Sequence, residues 1–326
     1  MSGGVLIYPT RRAKFEDPEI TADGARRAAV SMRELRTLWF NTGTLCNLTC
    51  ENCYIESSPR NDRLVYLARR EVRAYLDEIA SLGLATEEIG ITGGEPFMNP
   101  DILGILEDSL AGGYRTLVLT NAMRPMMKVC TGLLSLRKRF SDRLTVRVSV
   151  DHYERTLHEE ERGPRSWKPM IEGLEWLSRA GFNLHVAGRL RWDDDQDRMR
   201  DGFARLFARH GVNVDAHSSV ELVLFPEMDA AADVPEITTD CWDALGRRPQ
   251  DVMCASSRMV VKRKGSLHPT VVSCTLLPYE SQFEMASTLR DALGPVQLNH
   301  VHCAKFCVLG GARCNGSDDE NLSQPP

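Results

Sequence analysis

Cys46-Asn47-Leu48-Thr49-Cys50-Glu51-Asn52-Cys53-Tyr54 places three thiols within eight residues, just after the apolar run Leu38-Trp39-Phe40, which reads as a strand. Three thiolates on one loop can hold one face of an iron–sulfur cube. They fall one ligand short of a closed four-thiolate site. The metal left open is where a substrate or cofactor can coordinate. The competing reading of Cys-x3-Cys-x2-Cys is half of a structural zinc knuckle, completed by a distant Cys or His.

A second stretch, Ile89-Gly90-Ile91-Thr92-Gly93-Gly94-Glu95-Pro96, is a short strand entering a double-glycine turn that ends in a carboxylate. The two motifs stand about forty residues apart, which fits one βα unit between them. In this order they resemble the radical SAM enzymes, which carry the cysteine motif after the first barrel strand and Gly-Gly-Glu after the second. The resemblance covers Arg36 to Met228. One departure stands out: the family usually has an aromatic residue before the third cysteine, and here it is Asn52, with Tyr54 one residue beyond Cys53.

The resemblance implies a 4Fe-4S cluster on Cys46, Cys50 and Cys53, whose unligated iron takes the amino nitrogen and carboxylate oxygen of S-adenosylmethionine. An electron from the cluster then breaks the sulfonium C–S bond. The resulting 5′-deoxyadenosyl radical removes hydrogen from a substrate carbon, while the protein supplies orientation and excludes water. An electron donor such as flavodoxin or ferredoxin is implied with it.

Size and composition agree with such an enzyme. The 326 residues suffice for one large domain and a smaller one, and the apolar fraction of 42% is that of an ordinary globular chain. A net charge of −5, with basic residues scattered in pairs such as Arg11-Arg12 and Arg69-Arg70, gives no nucleic-acid or membrane-binding surface. No apolar run reaches the ~18–20 residues of a membrane span. The N-terminus lacks the apolar core of a signal peptide, so the expected location is cytoplasmic. Ten cysteines in a reducing compartment point to metal rather than to disulfides.

Residues 1–35 read as a lead-in, with a helix expected over Asp23–Leu35. From Arg36 onward, strand-length apolar runs (Thr37–Phe40, Glu88–Thr92, Thr116–Thr120, Leu144–Val150, Asn183–Leu190 and Val220–Phe225) alternate with helical stretches (Ala68–Ser81, Asp101–Ala111, Met126–Phe140, Trp167–Arg179 and Arg198–Arg209). That pattern predicts an α/β fold with a parallel sheet covered by helices. Periodicity alone leaves open a doubly wound sheet; the resemblance selects a partial (β/α)6 TIM-like barrel over residues 36–228. A connector around Pro226, Asp229, Asp233 and Pro235 leads to a small Cys-rich α+β unit, residues 229–316, and then to a polar, frayed tail, 317–326. In that unit Arg258–Lys262 and Thr270–Ser273 are expected to form a hairpin around Lys264-Gly265, with Cys254 and Cys274 near its ends.

In barrels of this kind functional groups sit at the C-terminal strand ends, and the candidates obey that rule. Gly93 and Gly94 permit close backbone approach. By resemblance Glu95, or the backbone of this turn, meets the methionine ammonium. By resemblance Asn121 stands where family members contact S-adenosylmethionine or substrate, Ser149 is a candidate for the ligand's ribose or carboxylate, and Asp151 for ribose binding or proton acceptance. Each of these three has helix capping as its plain alternative. Arg162 and Arg189 are candidates for the methionine carboxylate, against a structural ion pair. The run Asp193-Asp194-Asp195 reads as a solvated turn or a helix start.

Cys254-x19-Cys274 followed by Cys303-x3-Cys307 is similar to the auxiliary-cluster "twitch" domain, the shortened relative of the SPASM domain. The ligand set implied is Cys254, Cys274, Cys303 and Cys307, with Cys314 as substitute for either of the last two. A four-cysteine zinc site is the alternative. His300 and His302 are outer partners or loop residues, and Cys130 and Cys241 are buried thiols. A fully ligated auxiliary 4Fe-4S cluster can take the second electron, which makes the chain an oxidoreductase acting on a small molecule or a peptide. The alternatives are an epimerase, with Cys314 returning hydrogen, a C–C or C–S bond-forming peptide maturase, and a non-enzymatic zinc-stapled binding protein. No recognised peptide-binding segment precedes the barrel, which tilts the expected substrate toward a small molecule.

Overall fold

The structure, a computed structural model, describes residues 13–192, 195–229 and 231–311. After a two-residue strand β1 (Ala29–Val30), six strands run parallel: β2 (Thr37–Asn41), β3 (Glu88–Thr92), β4 (Arg115–Thr120), β5 (Leu144–Asp151), β6 (Asn183–Leu190) and β7 (Leu222–Pro226). Their crossovers carry α1 (Arg69–Leu82), α2 (Ile102–Ala111), α3 (Arg124–Lys128), α4 (Cys130–Phe140), α5 (Arg155–Arg162), α6 (Trp167–Arg179) and α7 (Gln196–His210). Beyond the connector lie α8 (Cys241–Leu245), β8 (Ser257–Val261), β9 (Thr270–Val272), β10 (Glu284–Ala286), β11 (Val296–Gln297) and a π-helical turn, Cys303–Leu309. Among the described residues no helix is long and apolar enough to cross a membrane.

The main sheet has the order β10-β9-β8-β2-β3-β4-β5-β6-β7. The anticipated β8–β9 hairpin forms. Its first strand lies parallel to β2, so the strands after the connector continue the sheet of the (β/α)6 run. The apolar runs become strands because both faces of the sheet are covered. On β2, Leu38 and Phe40 join the helix-facing core, whereas Trp39 packs on the other face with Leu117, Met259 and Val261.

Two helical expectations change. Asp23–Leu35 forms no helix. Its burial alternates, with Ala28 and Val30 inside and Ala29 and Ser31 outside, because β1 pairs antiparallel with β11 and its inner side chains join Ile237, Val296 and Leu298. Tertiary pairing here overrides helix-forming composition. The Met126–Phe140 stretch breaks at Val129 (φ −111°, ψ 14°) into α3 and α4, which lets Met126, Leu133 and Leu136 all reach the core. Of the acidic run, Asp195 is the α7 cap, accepting the Arg198 N–H at 2.8 Å; Asp193 and Asp194 lie outside the described residues. Arg69, one of the scattered basic pairs, ties α1 to α2 through two contacts to Asp108, at 2.6 and 2.8 Å.

Helix α6 presses on the exit of β4 at a single point. A Cβ on Gly173 would stand 1.8 Å from the Ala122 carbonyl oxygen, and Ala122 already holds a left-handed φ of +57°. Gly173→Ala must therefore push α6 away or distort the turn beside Asn121. Overpacking of this kind costs about 1–3 kcal/mol. Urea denaturation should register that loss, and an unchanged midpoint would contradict the packing described.

Candidate active site

The thiol loop leaves β2 and contains no helix or strand of its own before α1. It is held partly by its own bonds, such as Thr44 N–H to Leu64 O at 3.0 Å, and partly from outside. The Gly-Gly turn after β3 seats on it through Gly94 N–H to Gly43 O (2.8 Å) and Glu95 N–H to Leu45 O (3.1 Å). A Cβ on Gly94 would fall 2.3 Å from the Leu45 oxygen, so the double glycine serves the docking of one loop on another. Farther along, Cys46 N–H bonds Ser58 O at 3.1 Å.

Cys46, Cys50 and Cys53 line one wall of a cleft of about 1150 Å³, measured out to its mouth. Backbone donors already face two of the sulfurs, Leu48 N–H to Cys46 Sγ (3.4 Å) and Ser57 N–H to Cys53 Sγ (3.3 Å). Burial pushes Cys46 up to about 12 and raises Cys50 as well. Thiols so placed stay protonated unless a metal compensates the thiolate charge, which is the behaviour of cluster ligands.

Strand ends form the remaining walls. Gly93, Gly94, Asn121, Ser149, Asp151, Arg162 and Arg189 all border the cleft, so the residues expected from sequence converge on one mouth. Glu95 lies behind them. Its carboxylate accepts from Thr120 Oγ1 (2.8 Å), Asn121 N–H (2.9 Å) and Phe97 N–H (3.1 Å), joining the exits of β3 and β4. Asn121 extends this tie to the thiol loop, its Nδ2 donating to Asn47 Oδ1 at 3.0 Å. A bulge after Ser149 and a left-handed φ of +61° aim Asp151 at two arginines: Arg162 Nε at 2.6 Å and Arg189 Nε at 3.3 Å. Burial works against the Asp151 carboxylate, but the two guanidinium groups outweigh it and hold its pKa below the usual range. Helix α5 starts after Glu154, so Asp151 is not its cap.

Sequence reasoning missed Glu161, which is fully buried. Its carboxylate accepts from Asn52 N–H (3.1 Å), Asn52 Nδ2 (2.9 Å) and Arg191 Nη1 (2.9 Å). The signal was masked by Glu159-Glu160-Glu161, which reads as a solvated helix face. Also missed were Phe225, Met228, Leu276 and Phe306, which add apolar side chains to the lining of the cleft.

Leu276 borders a second cavity, of about 430 Å³, lined by Cys254, Cys274, Cys303 and Cys307. The π-helical turn carries Cys303 and Cys307 to the same wall, and Leu276 N–H points at Cys274 Sγ (3.4 Å). Burial raises Cys254 to about 12 and Cys303 well above its ordinary value. Cys314 lies outside the described residues. His300 and His302 lie beside this region, their rings tilted by 54° with centroids 4.9 Å apart. Among the described residues no three His, Cys, Asp or Glu groups converge as ligands of a single ion. Each thiol set rings a cavity, and in a cluster each sulfur binds its own iron.

The description "Radical SAM superfamily" matches residues 40–198. Residues 40–198 of this chain belong to the radical SAM superfamily. Among curated relatives of this radical SAM chain, mycofactocin maturase MftC of Mycolicibacterium smegmatis is 28% identical over 169 residues, 52% of this chain and 41% of that protein. The subtilosin biosynthesis protein AlbA of Bacillus subtilis is 29% identical over 175 residues, 52% of this chain and 37% of the other. The chain thus spans about two fifths of the curated relatives it matches. Its fold is that of Streptococcus suis SuiB bound to S-adenosylmethionine (TM-score 0.58, 13% identity, 80% of this chain and 65% of that one). It also matches anSMEcpe with bound AdoMet (TM-score 0.57, 11% identity, 78% and 79%). Membership of the radical SAM superfamily implies a 4Fe-4S cluster and S-adenosylmethionine, and the thiols at the cleft, one buried and two half-buried, with N–H groups facing Cys46 and Cys53, fit the cluster.

Two outcomes follow from the charges around the cleft. Asp151→Ala leaves Arg162 buried without its carboxylate, which should cost about 3 kcal/mol in urea denaturation of the apo-protein; a loss under about 1 kcal/mol would contradict the pairing. Burial also pushes Glu95 up to about 7, from the 4.5 of an ordinary glutamate, against its three hydrogen bonds. The folded chain then holds this proton more tightly than the unfolded one. That stabilisation is complete below the unfolded value and is lost as pH rises through the folded one. Glu95→Gln should therefore flatten the fall in stability between about pH 5 and about pH 8, and two superimposable profiles would refute the assignment.

Proposed function

We propose that this chain cleaves S-adenosylmethionine reductively and abstracts hydrogen from a C–H bond of a peptide. In this reading Cys254, Cys274, Cys303 and Cys307 would hold a second 4Fe-4S cluster, which would supply an acceptor for the second electron. The observation that carries it is the adjacency of two four- and three-thiol cavities that share Leu276 as a wall. When bound, the first cluster and S-adenosylmethionine supply the 5′-deoxyadenosyl radical.

The chain's own residues hold and orient. Cys46, Cys50 and Cys53 hold the first cluster, leaving one iron to the cofactor. Gly93 and Gly94 offer backbone groups at the cleft for the methionine ammonium. Arg162 and Arg189 present guanidinium N–H groups to its carboxylate, and Asp151 fixes both arginines. Because Asp151 stays ionised at low proton affinity, its role is to orient and to bind hydroxyls, with Ser149 beside it. The apolar lining from Phe225, Met228, Leu276 and Phe306 suits an apolar side chain and keeps water from the reacting carbon.

A peptide is preferred to a free small molecule because relatives are a maturase and a bacteriocin biosynthesis protein, and SuiB is known bound to its precursor peptide SuiA. An electron acceptor adjoining the cleft favours oxidation over the epimerase outcome, in which Cys314 returns hydrogen. C–C or C–S bond formation on the peptide uses the same first step and the same acceptor. Residues 36–228 act as the catalytic unit and 229–316 as a twitch/SPASM-like unit. The enzyme works in the cytoplasm with a flavodoxin- or ferredoxin-type donor.

Purified anaerobically, the chain should carry about eight irons, two cubes of four. Replacing Cys46, Cys50 and Cys53 together with Ala should abolish 5′-deoxyadenosine formation and leave about four irons. Cleavage that survives the triple substitution, or zinc in place of iron, would overturn the proposal.

A further inference from the structure

Only two residues separate Cys50 from Cys53, and both are held by Glu161. Its main-chain oxygen accepts from Glu51 N–H at 2.8 Å. Its carboxylate accepts from Asn52 twice, N–H to Oε1 at 3.1 Å and Nδ2 to Oε2 at 2.9 Å. The Asn52 carbonyl in turn accepts from Arg189 Nη1 at 3.0 Å. Arg191 at 2.9 Å and Arg189 at 3.5 Å neutralise the buried Glu161 carboxylate and fix its plane. Asn52 is thus engaged through backbone N–H, backbone C=O and side-chain amide at once.

The chemistry is selective. An amide at position 52 brings the second N–H that the Glu161 carboxylate accepts. An Asp there would set two carboxylates against each other, and an apolar side chain would leave one Glu161 oxygen short of a donor. Beyond the arginines, the carboxylate accepts from the thiol turn, so its consequence falls there and on Arg189 at the cleft.

We propose that Asn52 and Glu161 are a positioning pair that sets the Cys50–Cys53 turn and thereby the retention of iron on the first thiol set. This deepens the proposed function and rests on Cys46, Cys50 and Cys53 being cluster ligands. Partners one shell outside a metal's ligands typically change metal affinity by about 10–100-fold. The pair acts through two thiols at once.

The test uses the full chain, anaerobically reconstituted, with Asn52→Ala, Glu161→Gln and the double variant. In the wild type, S-adenosylmethionine should alter the EPR spectrum of the reduced first cluster. Each single variant should lose that responsive signal to an iron chelator about 10-fold faster than wild type, while the unresponsive signal decays at the wild-type rate. The double variant should be no faster than the faster single one, as for two ends of one interaction. Glu161→Gln keeps the side chain's size, so its thermal midpoint serves as the folding control. Wild-type retention in the single variants, or effects that multiply in the double, would overturn the pair while leaving the cluster assignment standing. A wild type without any S-adenosylmethionine response would overturn the reading beneath it.

Discussion

The thiol loop between Asn41 and Arg69 carries no helix or strand, and beyond a few bonds of its own, such as Cys46 N–H to Ser58 O, it is held by what surrounds it. Each anchor comes from a different part of the fold. The turn after β3 meets it at Gly43 and Leu45, Asn121 after β4 meets Asn47, and Glu161 of α5 meets Glu51 and Asn52. Arg189 of β6 reaches Asn52, and Tyr279 from beyond β9 donates to Ile55 O at 2.8 Å. A parallel sheet sends all its strand exits to one edge, so these anchors arrive together only if the whole sheet is in register. The site is therefore a property of the sheet.

Electrostatics impose the same dependence. Asp151 and Glu161 lie buried among Arg162, Arg189 and Arg191, with ion-pair distances from 2.6 to 3.5 Å. Bringing such charges out of water is costly, and their attraction roughly offsets that cost when the geometry is good. What the network supplies is position. It fixes the arginines that border the cleft and, through Glu161, the turn between two of the thiols. The raised thiols of both cavities have the opposite character. Without metal they are neutral, and a metal bound there would give them charge and so couple its loading to folding.

Local sequence made the strands legible because fully buried parallel strands are continuous apolar runs, and Gly93, Asn121, Ser149, Asp151 and Arg189 stand at their C-terminal ends. The α3–α4 break escaped notice because the apolar spacing of Met126, Leu133 and Leu136 carries through the kink. The lead-in was misread because its partner, β11, lies more than two hundred residues away in the chain. Distance in sequence likewise hid the parallel seating of β8 on β2 and the arrival of Leu276 and Phe306 at the cleft. Glu161 stood among acidic neighbours that resemble a solvent face, and its partner Asn52 looked like a bare departure from the family pattern. The inward turn of Glu95 depended on Thr120 and Asn121, groups whose proximity only the folded sheet defines.

The account stands on one iron at Cys46, Cys50 and Cys53 that no side chain occupies. Electron–nuclear double resonance on the reduced chain, with S-adenosylmethionine carrying an isotopically labelled amino nitrogen, reads that vacancy directly. The account predicts a hyperfine coupling from the label to a cluster that disappears when Cys50 is replaced. A cluster at these thiols with no coupling to the label would contradict it.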